Sequence, residues 1–395
     1  MSLLPVAEAQ ARLLALARPT ADVDAPLTDA LGRWLAGPLV ALRTQPAADL
    51  SAMDGYAIRF AELPGPWTVV GESAAGHGHD RPLAPGEAAR IFTGAPVPAG
   101  ADTILVQEEA ARDGATLTLA GEGPPRRGAH IRRAGADFAA DDILLPAGTK
   151  VGPAQIGLAA AAGHASLPVR RRPRIALIST GDELVPPGAP TPGTLLPSSN
   201  APMLAALIAA HTPADVEDRG IVRDDLPAIV HAFEAARDAD VIVTTGGASV
   251  GDRDLVRPAL EQAGATLDFW RIAMKPGKPL LAGRLGDAIV LGLPGNPVSA
   301  YVTAWLFLLP LIRHLLGASD PLPISRRAVL GAPLPATGGR AEYLRGRRAA
   351  SGVVEAGSQE SAALTSLAAA GLLIVRPAQA PAAAAGDNIE ILPIA

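Results

Sequence analysis

The chain of 395 residues contains no cysteine. That single absence excludes structural disulfides, thiolate zinc sites, iron–sulfur clusters and cysteine nucleophiles. Lysine is nearly missing too: three of the thirty-four basic residues are lysines, and the rest are arginines. No basic domain or stripe stands out, the formal charge is −5 and the isoelectric point is near 5.8. General nucleic-acid binding, which needs a cationic surface, is therefore not expected. The N-terminus lacks a charged segment followed by an apolar core, since Met1 to Pro5 lead into a short amphipathic stretch with Glu8 and Arg12. A cytoplasmic location is the expectation. The longest apolar run, Val298 to Ile312, covers fifteen residues. A bilayer needs ~20, so the run reads as a buried helix kinked at Pro310, and no membrane is expected as a partner.

What is present is an ordinary soluble composition, 49% hydrophobic and rich in alanine. The length suggests roughly two to four domains. Residues 5–17 carry apolar positions at helical spacing, and Leu27 to Leu35 reads as a second short helix. From Pro46 to about residue 140 short strands alternate with Gly and Pro, including Trp67 to Val70, Ala88 to Phe92, Thr103 to Gln107 and Ala115 to Leu119. Pro153 to Ala162 reads as a helix. From Arg174 onward strands and helices alternate: strands at 175–180, 216–222, 240–245, 267–272 and 288–293, helices at 200–210, 226–237 and 255–263, and the long helix from Val298. Such alternation predicts a mostly parallel sheet built by right-handed crossovers. After the Pro-rich linker at 320–323 more short strands follow.

In an open parallel sheet the loops at the carboxyl ends of the strands gather at one edge, where ligands bind. Here those loops are Gly181-Asp182-Glu183, then Gly246-Gly247-Ala248-Ser249-Val250-Gly251-Asp252-Arg253-Asp254, then Met274-Lys275-Pro276-Gly277-Lys278-Pro279, then Pro294-Gly295-Asn296-Pro297. Glycines let backbone N–H groups approach an anion, and Pro297 with Asn296 as cap suits the start of a helix. Two of the three lysines fall in one of these loops. An ammonium kept where arginine is otherwise the rule suggests an anion pocket. Four carboxylates (Asp182, Glu183, Asp252, Asp254) face the same edge, as expected for a phosphorylated ligand with Mg²⁺. Each loop taken alone also has a plain reading as a solvated turn.

Two segments of the first half add to this: Ser51-Ala52-Met53-Asp54-Gly55-Tyr56-Ala57, and the loop from Phe92 and Thr93 to Asp102. Together with the motifs at 179–184, 244–254, 274–279 and 293–300, the six ordered segments resemble the molybdopterin molybdenumtransferase (MoeA) family over nearly the whole chain. The resemblance implies a multidomain α/β protein. A discontinuous, elongated linker domain would take residues 1–45 and 140–173, an inserted β-rich domain 46–139, a doubly wound, mostly parallel molybdopterin-binding domain 174–318, and a C-terminal β-barrel domain 319–395. It implies insertion of molybdate into adenylylated molybdopterin with release of AMP, a divalent cation such as Mg²⁺, and a homodimer whose cleft lies between subunits. Molybdopterin adenylyltransferase and cofactor-receiving enzymes would be further partners.

By the same resemblance Asp54, Thr93, Glu183, Asp224 and Asp254 would take part in catalysis, with Asp54 the leading candidate for the cleavage step. Lys275, Lys278 and Pro279, joined by Arg340 or Arg345 and by Ser361, would hold the oxyanion. Asp137, Gly246, Gly247, Ser249, Pro294, Asn296 and Pro297 would line the cofactor site, and Asp182, Glu183, Asp252 and Asp254 would hold the metal. The chain departs from the family pattern at Ala136, Glu360 and Ala370, where Glu, Gly and Asn are usual. These departures motivate a second reading, a non-catalytic molybdopterin-binding scaffold. A third, a molybdopterin adenylyltransferase, is disfavoured because such relatives resemble only residues 174–316.

Overall fold

The computed structural model describes residues 3–246, 255–360 and 362–394, with the side chain of Trp270 excepted. Strands Arg174–Thr180, Val241–Thr245 and Ala288–Leu293 are buried along almost their whole length. Alternate residues face opposite sides, as the two-residue repeat of a strand requires. Ile175, Leu177, Val243 and Leu291 enter one core cluster with the helices at 200–211 and 297–315. Ala176, Ile178, Ile242 and Val290 enter another with Ile229, Phe233 and Leu260 of the helices on the opposite face. A strand covered on both faces reads as an unbroken apolar run, and each Ile or Leu so buried contributes about 1.5–3 kcal/mol.

The sheet has the order 215–222, 174–180, 241–245, 288–293, 281–285, 266–270. The first four strands are mutually parallel, while Leu281–Leu285 joins both its neighbours antiparallel. The sheet is thus mixed, with a hairpin at 281–293 where the sequence reading had one strand. The helix at 297–315 is 83% buried over its most apolar stretch, the environment of a core helix although its length would span a bilayer. Pro310 does not break it. A π-turn at Ala304–Leu308 precedes the proline, which then sits in the first turn of the next α segment, where its missing N–H costs little.

Residues 22–26 pair with 166–170, and 39–40 with 143–145, so the chain leaves and rejoins one region. Between these crossings lies a six-stranded sheet of the order 103–106, 55–58, 87–91, 67–73, 116–119, 110–113. The expected helix at 27–35 shrinks to one 3₁₀ turn, Leu27–Asp29. Gly32 turns the chain at φ +76°, and Trp34 and Leu35 bridge to Lys150 and Val169 instead. In the C-terminal part, strands 341–348, 372–376, 388–393 and 326–329 are joined in sequence. Leu330 bridges to Val354, whose strand pairs with 341–348, so the strand path returns on itself.

Candidate functional site

Three strand ends meet at the carboxyl edge of the mixed sheet. Gly246 has φ +94°, and a Cβ there would lie 2.4 Å from the carbonyl oxygen of Thr180. Only glycine lets the two strand ends approach so closely. A Cβ on Gly295 would lie 3.2 Å from Gly246 Cα, so the 294–297 loop rests on the same point. Asn200, almost fully buried at the start of its helix, fixes that loop by donating from Nδ2 to the Gly295 carbonyl at 2.8 Å. Pro297 opens the following helix as expected. Asn296 occupies the cap position with extended backbone, but its side chain makes no capping hydrogen bond there.

Asp182 and Asp224, on neighbouring strand ends, are brought together: the Asp224 backbone N–H donates to Asp182 Oδ1 at 3.2 Å. Glu183 folds back toward Gly181, where a Cβ would sit 2.6 Å from its carboxylate oxygen. Beside them opens a cavity of about 660 Å³, with Ser179, Asp182, Ser198 and Arg223 among its polar walls and Leu184 and Pro186 among its apolar ones. Gly247, Ser249, Asp252 and Asp254 lie outside the described residues, as does Ser361. Among the described residues no three His, Asp or Glu side chains form a ready-made metal cage.

The lysine segment sits at a seam. Met274–Lys275 pairs in parallel with Ala341–Glu342, the start of a C-terminal strand. Lys275 is exposed and its Nζ lies 3.3 Å from Glu342 Oε1. Lys278 is also exposed, while its carbonyl accepts from the Ile272 N–H at 3.1 Å and closes the loop. Gly277 has φ +102°, and a Cβ there would lie 2.5 Å from Thr303 Cγ2, so glycine lets the loop pack close against the helix that begins at Pro297. Arg340 is half-buried, one residue before the paired strand. Arg345 is different: it is 1% exposed, with Nη2 donating to the carbonyls of Ser358 (2.6 Å) and Glu360 (2.8 Å) and Nε to Ser366 Oγ (3.3 Å). Burial lowers its pKa, and these bonds hold the 357–360 loop from within.

In the inserted sheet Asp54 and Thr93 meet across 39 residues of sequence. Asp54 Oδ1 accepts from the Thr93 N–H at 2.7 Å and from Thr93 Oγ1 at 2.9 Å. The backbone N–H of Thr93, then its hydroxyl, and further off the charge of Arg90 hold the Asp54 carboxyl below its usual range. Gly55 beside it is obligatory, because a Cβ would fall 2.1 Å from the Leu105 carbonyl oxygen. Asp137 is exposed in a loop tied down by a residue that sequence reasoning passed over. Asp49 accepts from Arg133 Nη1 at 2.5 Å and from the Ala134 N–H at 2.9 Å. The Ala134 bond leads in lowering the Asp49 pKa. Between described residues of one chain, no hydrogen bond or ion pair joins Asp54, Thr93 or Asp137 to the strand-end edge.

Glu342, Asn200, Asp49 and Arg90 are thus the structural partners that motif reading missed. Each acts across 17 to 95 residues, and the sequence offers only an isolated charged or amide residue at these positions.

Comparison with known proteins matches residues 4–163 to the MoeA N-terminal region (domain I and II). Residues 176–314 match a probable molybdopterin binding domain, and 327–394 the MoeA C-terminal region (domain IV). The chain is 37% identical over 403 aligned residues to molybdopterin molybdenumtransferase 2 of Mycobacterium tuberculosis, covering 98% of each. It is 36% identical to the molybdopterin molybdenumtransferase of a Nostoc species, covering 91% of this chain and 86% of that one. The crystal structure of the molybdopterin biosynthesis moeA protein from Pyrococcus horikoshii superposes over all of both chains with a TM-score of 0.86 at 26% identity.

Proposed function

The chain belongs to the MoeA family of molybdopterin molybdenumtransferases, and from that premise we propose that it transfers molybdate onto the dithiolene sulfurs of adenylylated molybdopterin, releasing AMP. The observation that carries this reading is the seam at Lys275. An ammonium-bearing loop emerges from the edge where Gly246 and Gly295 meet and pairs with the strand that follows Arg340. Molybdate is a tetrahedral dianion. Lys275 and Lys278 supply compact positive charges for it, and Pro279, Arg340 and Ser361 would join them in holding it. Arg345 would act by shaping the 357–360 loop. The sulfur acceptors belong to the pterin, which accounts for a reaction run without any cysteine.

Release of AMP requires water to attack the phosphoanhydride, with the P–O bond to the nucleotide breaking as the new one forms. Thr93 fixes the Asp54 carboxylate through two bonds to Oδ1, which also hold it below the usual carboxyl range, so its role is to orient that water as a hydrogen-bond acceptor. Asp137 and Asp224 complete the acidic lining. Mg²⁺ takes one or two carboxylates and fills its octahedron with phosphate and water oxygens, so it needs no cage of protein ligands alone. Asp182 and Glu183, with Asp252 and Asp254, would hold it, and when bound it offsets the charge of the phosphates. Gly246, Gly247, Ser249, Pro294, Asn296 and Pro297 would cradle those phosphates. Among the described residues no hydrogen bond or ion pair joins Asp54 to the strand-end edge, which fits a homodimer whose cleft is completed by the second copy. Division into a linker, an inserted module, an α/β domain and a C-terminal barrel, and a cytoplasmic place of work, belong to the same reading.

The test is to incubate the purified protein with adenylylated molybdopterin, molybdate and Mg²⁺, and to measure AMP and metal-loaded cofactor together. Both should appear in equal amounts. Binding of molybdopterin with neither product would establish the scaffold reading that Ala136, Glu360 and Ala370 motivate.

A further inference from the structure

Arg90 lies on the central strand Glu87–Ile91, opposite Tyr56 across an antiparallel pair. Its guanidinium is held over two rings, 5.1 Å from the centroid of Tyr56 and 5.0 Å from that of Phe92. Its nitrogens donate in two directions, Nη1 to the Gly55 carbonyl at 3.1 Å and Nη2 to Gln107 Oε1 at 2.7 Å. Gln107 in turn donates its backbone N–H to the Asp54 carbonyl at 3.1 Å. Three of these four partners adjoin or touch Asp54 or Thr93: Gly55 follows Asp54, Phe92 precedes Thr93, and Gln107 grips the Asp54 backbone.

Arg90 also forms no ion pair with any carboxylate among the described residues, although Glu72 stands opposite it on the adjoining strand. Its charge is therefore not neutralised by a salt bridge. A guanidinium held over two rings and bonded to two acceptors is restrained from several sides, which lets it act as a strut between loops.

We infer that Arg90 is a positioning residue for the reaction: it fastens the 53–55 loop to the 92–94 loop and so fixes the Asp54 carboxylate in the orientation that phosphoanhydride cleavage needs. The inference rests on the reading of Asp54 given above. It goes beyond that reading by assigning a residue outside the six segments that carry the resemblance, one that acts through Asp54 and does not touch substrate.

The experiment compares Asp54→Asn, Arg90→Met, Arg90→Lys and the double variant Asp54→Asn with Arg90→Met, all as full-length protein. Steady-state AMP release is followed with molybdate varied. Asp54→Asn alone should be slow. Arg90→Met should lower kcat about tenfold, the effect of a small misplacement of a reacting group, with KM for molybdate within about twofold. Arg90→Lys keeps the charge and one bond, so its loss should be smaller; if Arg90→Met does not fold, the lysine variant carries the comparison. The double variant should be no slower than Asp54→Asn, because a residue acting through Asp54 has nothing left to position.

Three results would overturn the inference: Arg90→Met turning over at the wild-type rate, its loss appearing in KM alone, or the same fold loss recurring in the Asp54→Asn background. Full activity of Asp54→Asn would instead remove Asp54 from the reaction, and the role of Arg90 with it.

Discussion

Replacing Lys275 by Ala and Glu342 by Gln should move molybdate affinity in opposite directions. Lys275 Nζ stands 3.3 Å from Glu342 Oε1, with the lysine side chain 56% exposed and the glutamate 21%. An exposed pair of this kind holds itself together by about 0–1 kcal/mol. A hydrogen bond from an ammonium to an anion contributes about 1.5–3 kcal/mol. The dianion therefore outcompetes Glu342 for the lysine, and loss of Lys275 should weaken binding by roughly 10- to 100-fold. Glu342→Gln frees the ammonium and removes a negative charge near the anion, so binding should tighten, by at most about fivefold if only the pair energy is recovered. Calorimetric titration with molybdate reads both effects, and raising the ionic strength from about 0.05 to 0.15 M should shrink them. Two results would refute the reasoning. One is unchanged affinity in Lys275→Ala. The other is weaker binding in Glu342→Gln, which would mean that the carboxylate aims the ammonium and does not compete for it.

Asp54→Asn should slow AMP release by about 10²-fold, the effect of misorienting a reactant, and lower the urea unfolding midpoint slightly, since the half-buried carboxylate accepts two bonds from Thr93. Gly246→Ala should destabilise the fold by about 3 kcal/mol or more, from left-handed backbone strain plus contact with the Thr180 carbonyl, and urea unfolding would register it. Glu87, bonded first by Arg81 and then by the Ala84 N–H, has its pKa lowered to about 2. Its contribution is present above the unfolded carboxyl pKa and is lost as pH falls toward 2. The stability gap between wild type and Glu87→Gln should thus be full at neutral pH and vanish near pH 2, as paired denaturant titrations would reveal.

The central strands were legible because burial on both faces writes a continuous apolar run, as in Ile175–Thr180 and Val241–Thr245. Leu281–Leu285 escaped notice. It is short, it follows Pro279, and its Gly283 is demanded by the Thr266 carbonyl, which would stand 2.4 Å from a Cβ there. Leu27–Leu35 misled in the other direction, since pairing of Trp34 and Leu35 with residues more than a hundred positions away overrode local helical spacing. The site followed the same logic. Motifs announce themselves locally, and Asp54 does meet Thr93. The partners that hold them do not: nothing in the text around Arg90 says that it lies between Tyr56 and Phe92, and nothing around Arg345 says that it is sealed inside.

At the neck of the inserted sheet, the Gln45 N–H donates to the Phe138 carbonyl at 2.9 Å and the Phe138 N–H returns the bond at 3.3 Å. Two chain positions 93 apart are thus close enough for a turn of a few residues to splice them. A shortened polypeptide that skips residues 46–137 would keep its two flanking ribbons in register. The excised portion owns its own apolar clusters around Trp67 and Ile91. The neck is therefore a natural junction at which such a lobe can be acquired, exchanged or dropped without redrawing the rest of the molecule.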